Sequence, residues 1–167
     1  MLGNMLKVNG FTLIELVITV AIVGVLASIA MPVLQLSVQR VKENQLHDNL
    51  RIIRTAIDAY KKDVDEGHIA KSIDQTGYPP SLEILVHGVE DIKDPKKHKL
   101  RYLRRIPLDP MQPADSEVNA TKTELINNWG LRSYASEAEH PAEGEDVYDV
   151  YSRSKQIGIN GVPYAQW

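Results

Sequence analysis

Cysteine is absent from the 167-residue chain, which excludes disulfide staples, thiolate metal sites and cysteine nucleophiles. A strong excess of one charge sign is also missing. The net charge is -3, so the chain as a whole has no electrostatic footprint for nucleic acid. No second long apolar run follows the first, which excludes a multi-span membrane protein. There is no phosphate-cradling glycine loop, no His-Glu-x-x-His pair and no recognisable nucleophile turn. His47, His68, His87, His98 and His140 are scattered and read as solvated side chains rather than ligands. No catalytic residue and no enzyme activity are expected. Disorder throughout is excluded too, because 25% charged residues accompany 43% apolar ones, enough for a core.

What is present is unevenly distributed. From Phe11 to Leu36 the only ionisable side chain is Glu15. A secretory signal peptide would have a shorter apolar core followed by a small-residue cleavage site. Here small residues such as Ala27 and Ala30 lie inside the run. As a helix, these 26 residues would span about 39 Å at ~1.5 Å per residue, enough to cross a bilayer. Lys7, the one charge in the first ten residues, would hold that end in the cytoplasm. Hydropathy alone therefore reads as a signal anchor and a globular domain.

Glu15 disfavours so plain an anchor. A carboxylate at mid-bilayer costs roughly 2.5–3.5 kcal/mol on insertion scales and calls for a partner. Phe11 lies one turn earlier, and a free amino terminus there would supply the positive charge. That requires a cut between Gly10 and Phe11.

Gly10-Phe11-Thr12-Leu13-Ile14-Glu15, followed by the uninterrupted run Leu16–Leu26, resembles the class III signal of type IV pilins and type II secretion pseudopilins. The resemblance implies that a membrane prepilin peptidase cuts after Gly10 and that Phe11 becomes the N-methylated terminus. It makes Glu15 the assembly carboxylate. Gly24 and Pro32 also match the pattern. Pro32 lacks an N–H for the preceding turn and crowds it, while Gly24 loosens the backbone. The stretch between them is the weakest part of the helix. The resemblance implies that it extends in a filament; a simple kink is the other reading.

Beyond the run, Leu46, Leu50, Ile53, Ile57, Tyr60 and Val64 recur at spacings of 4, 3, 4, 3 and 4, one stripe of an amphipathic helix. Neither Pro nor Gly intervenes between Val33 and Glu66, and Gly67 is placed to stop the helix. The stripe is expected to pack within the chain, with a two-stranded coiled coil as the competitor. Further on, Ser81 and Gly88 bracket a short helix. Two strands are expected, at Trp129–Ala135 and Val147–Ser152, joined by an acidic loop. The prolines of Leu100–Pro110 fix a bend, and Asp115–Asn119 reads as a flexible insertion. Two or three antiparallel strands against one long helix make an α+β domain. The division is therefore 1–10, a cleaved leader; 11–36, a transmembrane and filament-core helix; 37–67, its amphipathic half; and 68–167, a C-terminal α+β domain.

Ile106–Pro110, Trp129-Gly130, Tyr148–Ser152 and Gly158–Trp167 are similar to the major pseudopilins of type II secretion, the protein G-like branch of the type IV pilin superfamily. Only Ala114–Ile126 lacks a counterpart. The resemblance implies a structural subunit of a homo-oligomeric filament. Its expected partners are minor pseudopilins, an inner-membrane assembly platform and the prepilin peptidase, with no nucleic acid. It implies a single pass through the inner membrane, the C-terminal domain and the assembled pseudopilus being periplasmic. A type IV pilin or minor pilin, and a monomeric signal-anchored binding protein, stay open as rivals. Members often stabilise the C-terminal loop with calcium through acidic residues. Here that stretch is Arg153–Gly158, with two cations and no acid. Asp149, Ser152 and Asn160 retain oxygens, but no metal residue is assigned. Two charge runs remain: Lys93, Lys96, Lys97, Lys99, Arg101, Arg104 and Arg105, and Glu137, Glu139, Glu143, Glu145, Asp146 and Asp149. They read as solvated loops, or as surfaces that meet within or between protomers.

Overall fold

With no helix breaker after Pro32, the long apolar and amphipathic segments form one helix, α1, spanning Leu13–Asp65. The computed structural model describes residues 10–112 and 128–167, the side chains of Ile29, Ala30 and Pro32 excepted. The expected insertion at Asp115–Asn119 and the leader residues before Gly10 lie outside the described residues. The chain divides into two compact units, one ending at Gln39 and one comprising Arg40–Trp167.

In the second unit, all six residues of the expected stripe are buried, from Leu46 at 0% exposure to Val64 at 7%. They share a core with Ile69, Leu82, Leu85, Leu103, Met111, Trp129, Val147, Val150 and Tyr164 of the same chain. The packing is intramolecular, as expected. α1 ends where Gly67 adopts φ 77. The Gly67 N–H donates to the Val64 carbonyl at 3.0 Å and the His68 N–H to that of Asp63 at 2.8 Å, which satisfies two carbonyls of the last turn.

The short helix α2 spans Leu82–His87 and contributes Leu82 and Leu85 to the core. Ser81 occupies its N-cap position, but its hydroxyl makes no capping hydrogen bond. Gly88, at φ 78, ends it and donates its N–H to the Ile84 carbonyl at 2.8 Å. Two short strands that the sequence did not reveal follow, β1 (Val89–Glu90) and β2 (Lys99–Leu100), paired antiparallel with Val89 opposite Leu100. Two residues apiece are too few for an alternating pattern, and the charged connection masks them.

The expected strands are present but shorter: β3 is Trp129–Arg132 and β4 is Asp149–Ser152. They pair antiparallel, Trp129 opposite Ser152 and Arg132 opposite Asp149. The ladder stops early because the Ser133 N–H turns to the Ala142 carbonyl at 3.0 Å and the Val147 N–H to that of Pro79 at 2.8 Å. Gly130 makes room for the Tyr151 ring; an added Cβ would lie 2.3 Å from it. A 3-10 helix at Tyr164–Gln166 completes the unit. The architecture is α+β, with two two-stranded sheets and one long helix among the described residues.

Because Leu50 and Ile53 are 1% and 0% exposed, truncating either should leave a cavity. Leu50→Ala or Ile53→Ala in the isolated unit 40–167 should lose roughly 2–5 kcal/mol in urea titrations. The unit should melt independently of concentration. A midpoint that rises with concentration would instead place the stripe between chains.

Candidate assembly site

The N-terminal unit has an apolar surface and one carboxylate. Phe11 is 82% exposed, and the apolar window of α1 has none of its residues buried. The helix is long and apolar enough to cross a membrane. Its hydroxyls are turned inward on the backbone: Thr19 Oγ1 donates to the Leu16 carbonyl and Ser28 Oγ to that of Val25, both at 2.8 Å, and Ser37 Oγ to that of Val33 at 3.1 Å. These groups need no water, as a lipid or protein surrounding demands.

Gly10 precedes the helix and is exposed, with nothing within 4 Å of an added Cβ. Thr12 caps the helix, its Oγ1 accepting the Glu15 N–H at 3.3 Å. Thr-x-x-Glu is the capping-box spacing, a role for Thr12 that the family reading passed over although the sequence carries its signature. Glu15 sits in the first turn, where the helix dipole favours negative charge. Gly24 and Pro32 both lie within α1, which is helical through them, and a Cβ at Gly24 would meet nothing within 4 Å.

In the second unit, the C-terminal strap docks on a polar face of α1. The Arg54 guanidinium donates to Asp149 Oδ1 at 2.7 Å, to the Val150 carbonyl at 3.2 Å and to the Trp167 main-chain oxygen at 2.8 Å. Glu43 Oε1 accepts the Ile159 N–H and the Tyr164 hydroxyl, each at 2.8 Å. His47 stacks on the Trp167 ring, centroids 4.2 Å apart. Glu43, His47 and Arg54 are spaced four and seven apart, so one helical stripe provides all three anchors. No sequence signal links them to residues more than a hundred positions away.

The oxygens left for calcium are already engaged. Asp149 accepts from Arg54 and, at 3.3 Å, from Arg132. Ser152 Oγ donates to the buried Asp109 at 2.6 Å, and Asn160 Oδ1 accepts the Val162 N–H at 3.0 Å. Two guanidinium groups at the one carboxylate repel a divalent cation, so this donor set does not fit calcium. Among the described residues no group of three or more His, Asp or Glu suits a metal ion.

The histidines are less solitary than their scatter suggests. His68 Nδ1 lies 3.0 Å from Asp91, and His98 contacts Asp94. His87 lies 3.1 Å from the Glu83 carbonyl. Burial raises the Asp91 carboxyl, but the Lys93 N–H and His68 outweigh it and hold it below the ordinary range. Asp94 is also lowered, first by the Lys96 N–H and then by His98.

Asp146, 7% exposed, pins the connection between β3 and β4. It accepts Ser133 Oγ at 2.6 Å, the Tyr134 N–H at 3.0 Å and the Thr76 hydroxyl. Burial pushes its carboxyl up, yet the Ser133, Thr76 and Tyr134 hydrogen bonds prevail and leave it below the usual value.

Residues 5–31 match a family profile described as the prokaryotic N-terminal methylation motif. The chain is 31% identical over 106 residues to the type II secretion system core protein G of Pseudomonas aeruginosa, covering 61% of this chain and 67% of that one. The core protein G of Escherichia coli is 29% identical, covering 62% and 67%. The type IV major fimbrial protein FimA of Dichelobacter nodosus is 45% identical over 59 residues, covering 35% and 38%. The chain thus spans about two thirds of the length of the core G relatives. No solved structure matches it.

Asp146 generates a pH dependence whose sign follows from its depressed pKa. Its contribution is complete above the unfolded value and is lost as pH falls through the lower folded one. Asp146→Ala should cost roughly 1–3 kcal/mol at neutral pH, since it strands an N–H and two hydroxyls. The difference from the parent should shrink as pH falls below about 3.9. Urea titrations across the acid range check this; a constant difference would mean that Asp146 is not ionised in the fold.

Proposed function

The chain belongs to the family of the type II secretion system core protein G, and on that premise we propose how it assembles as the structural subunit of a periplasmic pseudopilus that drives protein export. The observation that carries the reading is the wholly exposed apolar helix, headed by Thr12 and Glu15 and overlapping the methylation motif. An apolar surface of that length needs lipid before assembly and other copies of itself afterwards. The fimbrial relative covers 35% of the chain, against 61% for core protein G, so a secretion filament is favoured over a type IV pilus.

The precursor sits in the inner membrane with Lys7 in the cytoplasm and the domain in the periplasm. The prepilin peptidase cuts after Gly10 and methylates the Phe11 amine. That ammonium and the Glu15 carboxylate then share a medium that penalises lone charges. Within one chain they are a single turn apart and pair awkwardly. Between copies, Glu15 of one protomer accepts the terminus of the next and fixes the axial register. The stretch from Gly24 to Pro32 yields as the helices pack. Minor pseudopilins and an inner-membrane assembly platform are the further partners. The C-terminal strap is held by Arg54, Glu43 and His47, without calcium; what supports this is the occupation of Asp149 by two guanidinium groups.

Intact-mass measurement of membrane-extracted protein should find a chain that begins at Phe11 and carries one extra methyl. A terminus still at Met1 would overturn the reading. Glu15→Val should insert, be cleaved and fold but yield few filaments by shearing and electron microscopy. Glu15→Gln separates two roles of the side chain, because an amide can still serve a capping box but carries no charge. It should fail like Glu15→Val; normal filaments from Glu15→Gln would reduce Glu15 to a helix cap.

Chelation tests the metal-free strap. Adding EGTA should leave the melting temperature of the domain unchanged, while Arg54→Met should lower it. A large drop with EGTA that calcium reverses would overturn the assignment.

A further inference from the structure

The stretch from Lys93 to Arg105 carries seven cations and one acid, and the segment from Glu137 to Asp149 carries six acids and no Lys or Arg. Among the described residues, no ion pair joins one run to the other. Glu143 pairs with Arg153 at 2.8 Å and Lys97 with Glu90 at 3.8 Å. Lys96, Lys99, Arg101, Arg104 and Arg105 are exposed and form no ion pair among the described residues, and the same holds for Glu139 and Glu145.

The anchors of the two runs on α1 explain why they stay apart. Lys93 Nζ donates to the Glu66 carbonyl and the Tyr102 hydroxyl to Asp63, both at 2.5 Å; Asn49 Nδ2 donates to the Leu108 carbonyl at 2.8 Å. Lys93 and Tyr102 therefore hold the basic stretch at the C-terminal end of α1, and the chain just beyond it reaches back to Asn49. The acidic segment hangs on another flank. Asp149 binds Arg54, and Tyr134 stacks on Tyr78, whose ring lies 5.6 Å from Lys61 Nζ. At about 100° per residue, Lys61 lies within ~20° of Arg54 around the helix, whereas Asp63 and Asn49 lie about 180° and 140° away. The side chains of α1 that anchor the two runs thus lie on different flanks of the helix.

We propose that the basic stretch of one protomer docks on the acidic loop of the next, a contact that rests on the pseudopilus reading. Opposite charges on two different flanks of α1 make a heterologous, head-to-tail interface, which does not close as a two-fold dimer and repeats into an open helical stack. The occupant is a second copy of this chain because the complement to each patch is present on the same molecule, and because, among the described residues, five exposed cations of the one run and the exposed Glu139 and Glu145 of the other form no ion pair. A nucleic acid or an acidic exported protein would engage the basic stretch alone.

The test is charge exchange in the full-length chain, expressed with its assembly machinery. Arg101→Glu with Arg104→Glu should lower the sheared filament yield roughly tenfold or more, since like charges then face each other. Glu139→Lys with Glu145→Lys should do the same. All four together should restore the yield. Leader cleavage and melting of each variant must match the parent. Because the chain has no cysteine, Arg104→Cys with Glu139→Cys should form a disulfide ladder that continues past dimers. A basic-side defect without an acidic-side defect, or a combined variant that is not rescued, would overturn the interface while leaving the filament reading intact. No filament from the unchanged chain would remove both.

Discussion

Burial of one stripe on α1, from Leu46 to Val64, is the constraint on which the rest of the domain depends. Neither two-stranded sheet is large enough to stand alone. Each element survives because it contributes side chains to the cover over that stripe: Leu82 and Leu85 from α2, Trp129 from β3, Val150 from β4 and Tyr164 from the 3-10 helix. The polar positions flanking the stripe then fix how the cover is oriented. Asn49 and Asp63 hold the proline-rich bend on one side, and Arg54 holds β4 and the strap on the other.

The same helix obeys different rules before Gln39. There its hydroxyls are spent on its own carbonyls, and its apolar side chains face outward. Such a segment is built to exchange one apolar surrounding for another, lipid for neighbouring helices. In that surrounding a carboxylate such as Glu15 can act as a register mark, because few other polar groups compete with it.

The sequence revealed most where periodicity or a dedicated residue carries the instruction. The stripe, the stop at Gly67, the bracket around α2 and the centres of β3 and β4 could all be read from it. Strand lengths could not, because the ladder ends are set by a buried Asp146 and by the hydrogen bonds of Pro79 and Ala142, which are tertiary events. β1 and β2 were hidden by brevity. The Arg54 cluster was invisible for a different reason: its partners, Asp149 and Trp167, are 95 and 113 positions away. At the N-terminus, the spacing that marks a pilin-like signal also marks a capping box, so one set of residues supports two physical roles.

The strap also sets a clock. Its contacts with α1 join Glu43 to Ile159 and Arg54 to Trp167, separations of 116 and 113 residues. Closing loops of that size is slow, and it has to wait until Trp167 has been synthesised. Until then the face of α1 that carries Glu43, His47 and Arg54 has no cover. A nascent chain already held by its apolar helix would therefore remain open along that face until Trp167 has been made, and a chain cut before Trp167 would lose its contacts with both His47 and Arg54. Synthesis of Trp167 is thereby coupled to closure of the domain.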